Sequence, residues 1–160
     1  MDIKPLNRTH ISQIVQLESE NAPLKPHYSK YTQKDLDFIF SNPDSCGAAG
    51  LFDNKKLIGW GAYRTNWRRH KKEKDVYEIS SVVIDKDYRR QGLGTKILNY
   101  IIDILGKKTK SNRLFLTVSP FNIPALQFYL NLGFIIYDFQ KDIYGPGEDR
   151  VYLELTKGRK

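Results

Sequence analysis

Asp85-Lys-Asp-Tyr-Arg-Arg-Gln-Gly-Leu-Gly-Thr95 stands where an apolar run ends and an amphipathic helix begins. Before it, Ile79-Ser-Ser-Val-Val-Ile84 is β-branched and reads as a strand. After it, Leu93, Ile97, Leu98, Ile101, Ile102 and Leu105 recur at helical spacing. A strand, a turn rich in arginine and glycine, and then a helix start form an arrangement suited to phosphate. The first helical turn has N–H groups without intrahelical acceptors, and the helix dipole adds roughly half a positive charge there. Gly92 and Gly94 let the backbone approach a ligand with no Cβ in the way, and Arg89 and Arg90 supply cationic donors. The stretch implies a phosphorylated cofactor. It is not a dinucleotide fingerprint, because the third glycine would fall at Ile97, and no Gly-Lys-Ser/Thr follows to make a P-loop. A basic loop before an ordinary helix is the alternative reading of these residues taken alone.

About thirty residues on comes Asn122-Ile-Pro-Ala-Leu-Gln-Phe-Tyr-Leu-Asn-Leu-Gly-Phe134. Asn122 is a good N-cap, Pro124 falls in the first turn, and Gly133 ends the helix. Upstream, Arg113-Leu-Phe-Leu-Thr-Val-Ser119 reads as a buried strand. Tyr129 shares one helical face with Leu126 and Leu130, so by pattern alone it is equally a core aromatic.

The spacing Arg89-x-x-Gly92-x-Gly94, followed by a strand–Asn–helix–Tyr–Gly–Phe pattern, resembles the GCN5-related N-acetyltransferase (GNAT) superfamily. The resemblance runs the length of the chain. It implies an α/β fold, a mixed central sheet of about seven strands splayed between strands 4 and 5 and flanked by about four helices. It also implies acetyl-CoA as cosubstrate. By position, Val82, Val83 and Ile84 would pair through their backbone with the pantetheine arm. The amides of Arg89, Arg90, Gln91, Gly92, Leu93, Gly94 and Thr95 would hold the pyrophosphate. Asn122 would hydrogen-bond the arm or only cap its helix. Tyr129 matches the family's general acid, and a phenol with pKa about 10 stays protonated at neutral pH. A backbone N–H near Val83 would polarise the thioester carbonyl. Glu78, four residues before the pantetheine triplet, stands at the spacing of a water-relaying base, or is an exposed strand residue. The glutamate that ribosomal-protein N-terminal acetyltransferases carry on the fifth strand is replaced here by Thr117.

The acceptor is an amine, with a peptide or protein N-terminal α-amine suggested by Tyr144 in Ile143-Tyr-Gly-Pro-Gly-Glu-Asp-Arg-Val-Tyr152. That stretch is similar to one lining the peptide groove of N-terminal acetyltransferases. Tyr28 and Tyr31, between the first two helices, would face the same entrance. Two alternatives stay open: a small-molecule amine acetyltransferase for polyamines, amino sugars or amino acids, and a non-catalytic CoA- or nucleic-acid-binding module.

Composition bounds the rest. A chain of 160 residues suits one domain. The single cysteine, Cys46, makes an internal disulfide impossible, and three scattered histidines carry no zinc signature, so no metal is expected. No apolar stretch reaches membrane-spanning length and the first residues lack a signal core, which sets a cytoplasmic expectation. The formal charge of +8 raises nucleic acid as a partner. Its densest cluster, residues 68–74, reads instead as a solvated hairpin loop, and the excess suits a polyanionic cofactor. Elsewhere the pattern predicts an edge strand at residues 3–6, helices at about 9–20 and 32–40, a hairpin of 47–52 with 56–66, a strand at 76–84, and final strands near 134–141 and 150–156.

Overall fold

The computed structural model describes residues 1–23, 30–65, 76–108 and 113–156. Seven strands and four α-helices occur among them. In chain order these are β1 (Asp2–Pro5), α1 (Ile11–Asn21), α2 (Gln33–Ser41), β2 (Cys46–Asp53), β3 (Lys56–Thr65), β4 (Tyr77–Ile84), α3 (Leu93–Lys108), β5 (Arg113–Val118), α4 (Ile123–Asn131), β6 (Ile135–Gln140) and β7 (Arg150–Thr156).

Local chemistry explains most boundaries. The Asn7 side chain caps a 3-10 turn at Arg8–His10, which takes up the start predicted for the first helix. Thr32 and Asp35 form a reciprocal capping box that opens α2. Asn54 takes a left-handed φ of 53° at the β2–β3 turn, a conformation asparagine tolerates. Asn122 Oδ1 accepts from Ala125 N–H at the start of α4, and Gly133, at φ 89°, ends it.

The strands form one sheet in the order β1-β2-β3-β4-β5-β7-β6. Every pairing is antiparallel except β4 with β5. That parallel pairing is confined to Tyr77↔Leu114 and Glu78↔Phe115. Beyond Glu78 the two strands part, and the edge of β4 from Ile79 to Ile84 lacks a strand partner among the described residues. Two apolar cores cover the sheet. One packs the α3 stripe (Leu93, Ile97, Leu98, Ile101, Ile102, Leu105) and Tyr129 against Leu51, Ile58, Ile79 and Leu116. The other packs Ile14, Leu17, Leu36 and Ile39 of α1 and α2 against Trp60, Ala62 and Val83.

An irregularity in β4 shapes the site. Ala62 pairs with Ser81 and Tyr63 with Ile79, so Ser80 is an extra residue, a β-bulge. The bulge resets the alternation of side chains. Ile79 and Val82, three apart, both pack on the α3 side, whereas Val83 packs on the α1–α2 side.

Candidate active site

The turn between β4 and α3, where phosphate is expected from the sequence, leads straight into a helix start. Lys96 N–H donates to Gly92 O (3.1 Å) as the first helical bond of α3. The N–H groups of Leu93, Gly94 and Thr95 therefore have no intrahelical acceptor and point out of the helix start. Arg90 (φ 60°) and Gly92 (φ 74°) are both left-handed, which turns the loop into the helix. Gly94 serves packing as well: a Cβ there would lie 3.3 Å from Phe128 Cζ and 3.9 Å from Ile84 Cγ1. The end of β4, the helix start and α4 thus converge at the mouth of the β4–β5 splay.

Arg89 is engaged with the protein itself. Its Nε donates to Ile84 O (3.1 Å) and its Nη2 to Asn21 O (2.6 Å). It ties the loop to β4 and α1, which leaves Arg90, an exposed residue, as the loop's cation toward solvent. Asp85, buried, braces the same loop by accepting from Asp87 N–H (3.0 Å) and Lys56 Nζ (2.8 Å). Burial works against the Asp85 carboxylate, yet these two donors hold it below its ordinary value.

Along β4, Asp85 N–H donates to Ile58 O (2.8 Å). Because N–H and C=O groups alternate in an antiparallel pair, Val83 also faces β3, while Val82 and Ile84 turn theirs to the splay. The donors on that edge flanking Val83 are therefore the N–H groups of Val82 and Ile84. The side chains of Val82 and Ile84 stay in the apolar core.

Tyr129 enters this region from α4. It is buried, edge-on to Phe128 and Phe134 (centroids 5.0 and 5.5 Å), and its hydroxyl has no hydrogen-bond partner among the described residues. Burial raises its pKa well above the usual phenol value, so the hydroxyl keeps its proton. Asn122, seven residues earlier, spends its side-chain oxygen on the α4 cap and keeps its amide NH₂ as a donor.

A cavity of about 480 Å³ opens next to the splay, between α2, β4 and the β6–β7 connection. Tyr31, Glu78, Thr117 and Tyr144 all line it. Two of the three tyrosines expected at the entrance are thus brought together, and Tyr28 lies outside the described residues, as does the basic run 68–74. Tyr31 stands edge-on to Trp60 (5.1 Å) and reaches Ser80 O with its hydroxyl (3.4 Å). Burial pushes its pKa up to about 12. Glu78 is not the solvent-facing strand residue of the alternative reading: its side chain is 13% exposed and pairs with Arg64 Nε at 3.1 Å.

Sequence reasoning missed several members. Arg64 and Arg150 line the cavity. Ser80 lines it too, and its Oγ is buried with no partner among the described residues. Glu18, almost fully buried on α1, accepts from Trp60 Nε1 (2.8 Å) and Tyr31 N–H (3.4 Å), so it positions the tyrosine from behind. Its spacing from Ile14 and Asn21 places it on the buried helix face, the one signal that could have found it.

A strand edge without a strand partner among the described residues, amides at a helix start, a buried phenol in the same core and a cavity beside the splay leave room for two substrates. The acetyltransferase (GNAT) family profile matches residues 11–134, and the chain belongs to that family. It is similar to streptothricin acetyltransferase A of Bacillus subtilis (strain 168), 29% identical over 112 residues, covering 70% of this chain and 61% of that protein. The catalytic subunit of the N-terminal acetyltransferase B complex of Arabidopsis thaliana is 37% identical over 81 residues, or 51% of this chain and 47% of that one. The ribosomal-protein-S18-alanine N-acetyltransferase of Escherichia coli shares the fold, with a TM-score of 0.76 at 23% identity over 97% of this chain and 92% of that one. The chain spans between 34% and 61% of the length of four curated relatives that it matches. Among the described residues no helix is long and apolar enough to cross a membrane.

Proposed function

We propose that this chain is an N-acetyltransferase that moves the acetyl group of acetyl-CoA to a primary amine, with a peptide N-terminal α-amine as the favoured acceptor. The observation that carries the reading is the β4 edge from Ile79 to Ile84, which lacks a strand partner among the described residues and leads from the cavity at Ser80 toward the helix start at Gly92–Thr95. In this reading the amides of Leu93, Gly94 and Thr95 hold the pyrophosphate, with Arg90 beside them. Val82 through its carbonyl and Ile84 through its N–H bind the pantetheine arm, Ile84 O being taken by Arg89, and the Asn122 amide donates to it. Gly94 supports the fit, since any side chain there would fill space between Phe128 and Ile84.

The amine enters from the cavity bounded by Tyr31 and Tyr144. It must be neutral to attack, and Glu78 accepts its proton through water. As the new C–N bond forms, Val82 N–H stabilises the negative charge on the carbonyl oxygen. The C–S bond then breaks, and Tyr129 donates its proton to the departing thiolate. An α-amine, with pKa about 7.7–8.0, needs less help than a lysine side chain near 10.4, which suits a carboxylate already paired with Arg64. Cytoplasmic residence is part of the proposal, in keeping with a lone, buried, unpaired Cys46.

The test is amine-dependent release of CoA thiol from acetyl-CoA, with the acetylated product identified by mass spectrometry. Transfer to at least one class of primary amine is expected. Tight acetyl-CoA binding with no transfer to peptides, polyamines, amino sugars or amino acids would reduce the chain to a CoA-binding module.

A further inference from the structure

We propose that the acceptor amine is carried on an anionic molecule, in peptide form an N-terminus followed by acidic side chains, read by the cationic cavity wall around Lys34. This deepens the acetyltransferase reading and rests on it. The cavity beside the splay is lined by Lys30, Lys34, Arg64 and Arg150 against two carboxylates, Asp35 and Glu78. Both carboxylates are committed inside the protein. Asp35 Oδ2 accepts from Thr32 N–H (2.8 Å) and Thr32 Oγ1 (2.6 Å), and Glu78 pairs with Arg64. Two of the three acidic residues of the nearby β6–β7 turn serve its own backbone: Asp149 Oδ1 accepts from Asp142 N–H (3.0 Å), and Asp142 Oδ1 from Gly147 N–H; the third, Glu148, does not line the cavity. The lining as a whole is cationic.

Two placements sharpen the point. Lys34 occupies the first turn of α2, the end of a helix where the dipole favours anions. A cation kept there opposes the helix's own electrostatics while lining the cavity. Arg150 is only 5% exposed, its Nη1 donates to Asp149 O (2.8 Å), and its guanidinium lies 5.1 Å from the centre of the Tyr144 ring, so it adds a fixed positive charge to the cavity wall. Lys30, also in the lining, bonds a neutral carbonyl, Ser19 O (2.7 Å), and not a carboxylate.

Charge complementarity acts in both directions. A polyamine or an amino sugar bearing several ammonium groups meets like charge throughout the cavity, which costs affinity and slows encounter. An anionic acceptor is attracted, and the same cations lower the pKa of its ammonium, supplying more of the neutral nucleophile.

The experiment uses two matched pentapeptide amides with N-terminal alanine, one with two acidic residues next and one with two lysines, together with spermine. Acetyl transfer is measured on the intact chain and on Lys34→Glu. Binding of fluorescent, N-terminally blocked versions of both peptides is measured by anisotropy in the presence of CoA. Lys34 is exposed, so its replacement leaves the fold intact, which an unchanged melting temperature verifies. The expected result is kcat/KM about tenfold or more higher for the acidic peptide than for the lysine peptide, with spermine slower than either. Lys34→Glu shrinks that ratio while the KM for acetyl-CoA holds. Transfer to the lysine peptide or spermine as fast as to the acidic one overturns the inference and leaves the acetyltransferase reading standing. Preferential binding of the acidic peptide, weakened by Lys34→Glu, with no transfer to any acceptor upholds the charge assignment and overturns the enzymatic reading. No binding preference and no transfer overturns both.

Discussion

Replacing Gly92 by valine separates the phosphate role of the α3 start from its part in the fold. At φ 74° an L-residue costs about 1–2 kcal/mol, and a β-branched one sits at or above the upper end. No heavy atom lies within 4 Å of a Cβ built at this position, so the cost is conformational and does not come from a clash. Against a domain stability of about 5–15 kcal/mol the variant still folds. At roughly 2–4 °C per kcal/mol for a chain of this size, its melting temperature falls by about 2–8 °C. Acetyl-CoA at a hundred times its Kd adds about 2.7 kcal/mol to the parent, an upward shift of roughly 5–10 °C by the same conversion. In Gly92→Val that shift disappears, because relief of the strain rotates φ negative and turns the loop amides away from the helix axis. The assay is a thermal melt of both proteins with and without acetyl-CoA. A variant that is folded, destabilised as calculated and still shifted to the full extent by acetyl-CoA refutes the pyrophosphate assignment.

Glu78→Gln is expected to lower turnover on a lysine-type amine at neutral pH, with the deficit closing as pH rises toward the amine's own pKa; a pH–rate profile matching the parent leaves Glu78 as a partner for Arg64 alone. Ser80→Ala removes a buried hydroxyl that has no partner among the described residues, so urea denaturation should show no loss of stability and a gain of up to about 1 kcal/mol. Tyr31, at about 12 in the folded chain against about 10 unfolded, favours its neutral form on folding. Its contribution is whole below pH 10 and is lost as pH rises from 10 through 12, so urea midpoints should be flat to about pH 10 and then fall. In Tyr31→Phe that alkaline fall should be smaller.

Sequence patterns that depend on neighbours along the chain were legible. The six apolar positions of α3 are all buried, the Asn122 cap and Gly133 stop bound α4, and the β2–β3 turn falls at Asn54. What escaped depends on partners far away. Glu18 is buried because Trp60 and Ser81, from two different strands, donate to it, and nothing in α1 alone announces that. The Ser80 bulge follows from the register between β3 and β4, which a strand read by itself does not contain. Arg89 looked like a phosphate ligand because arginine next to a glycine loop usually faces solvent. Here the carbonyls of Ile84 and Asn21 lie within its reach. Within the candidate site, Tyr31, Glu78 and Tyr144, named from sequence, line one cavity beside the splay. The cationic cavity wall was missed because Arg64 and Arg150 meet only when β3 and β7 fall on either side of β4 and β5.

The central claim is that the buried Tyr129 phenol of α4 serves chemistry and is not merely core packing, and Tyr129→Phe tests it most directly. The substitution keeps the ring, its contacts with Phe128 and Phe134, and the apolar surroundings, and removes only a hydroxyl without a protein partner among the described residues. Steady-state transfer is measured with saturating acetyl-CoA and the best acceptor, beside the melting temperature and the acetyl-CoA Kd. The account predicts unchanged stability and binding with kcat lowered at least about tenfold, the low side of what a general acid supplies. Full turnover by Tyr129→Phe would contradict it and return Tyr129 to the core.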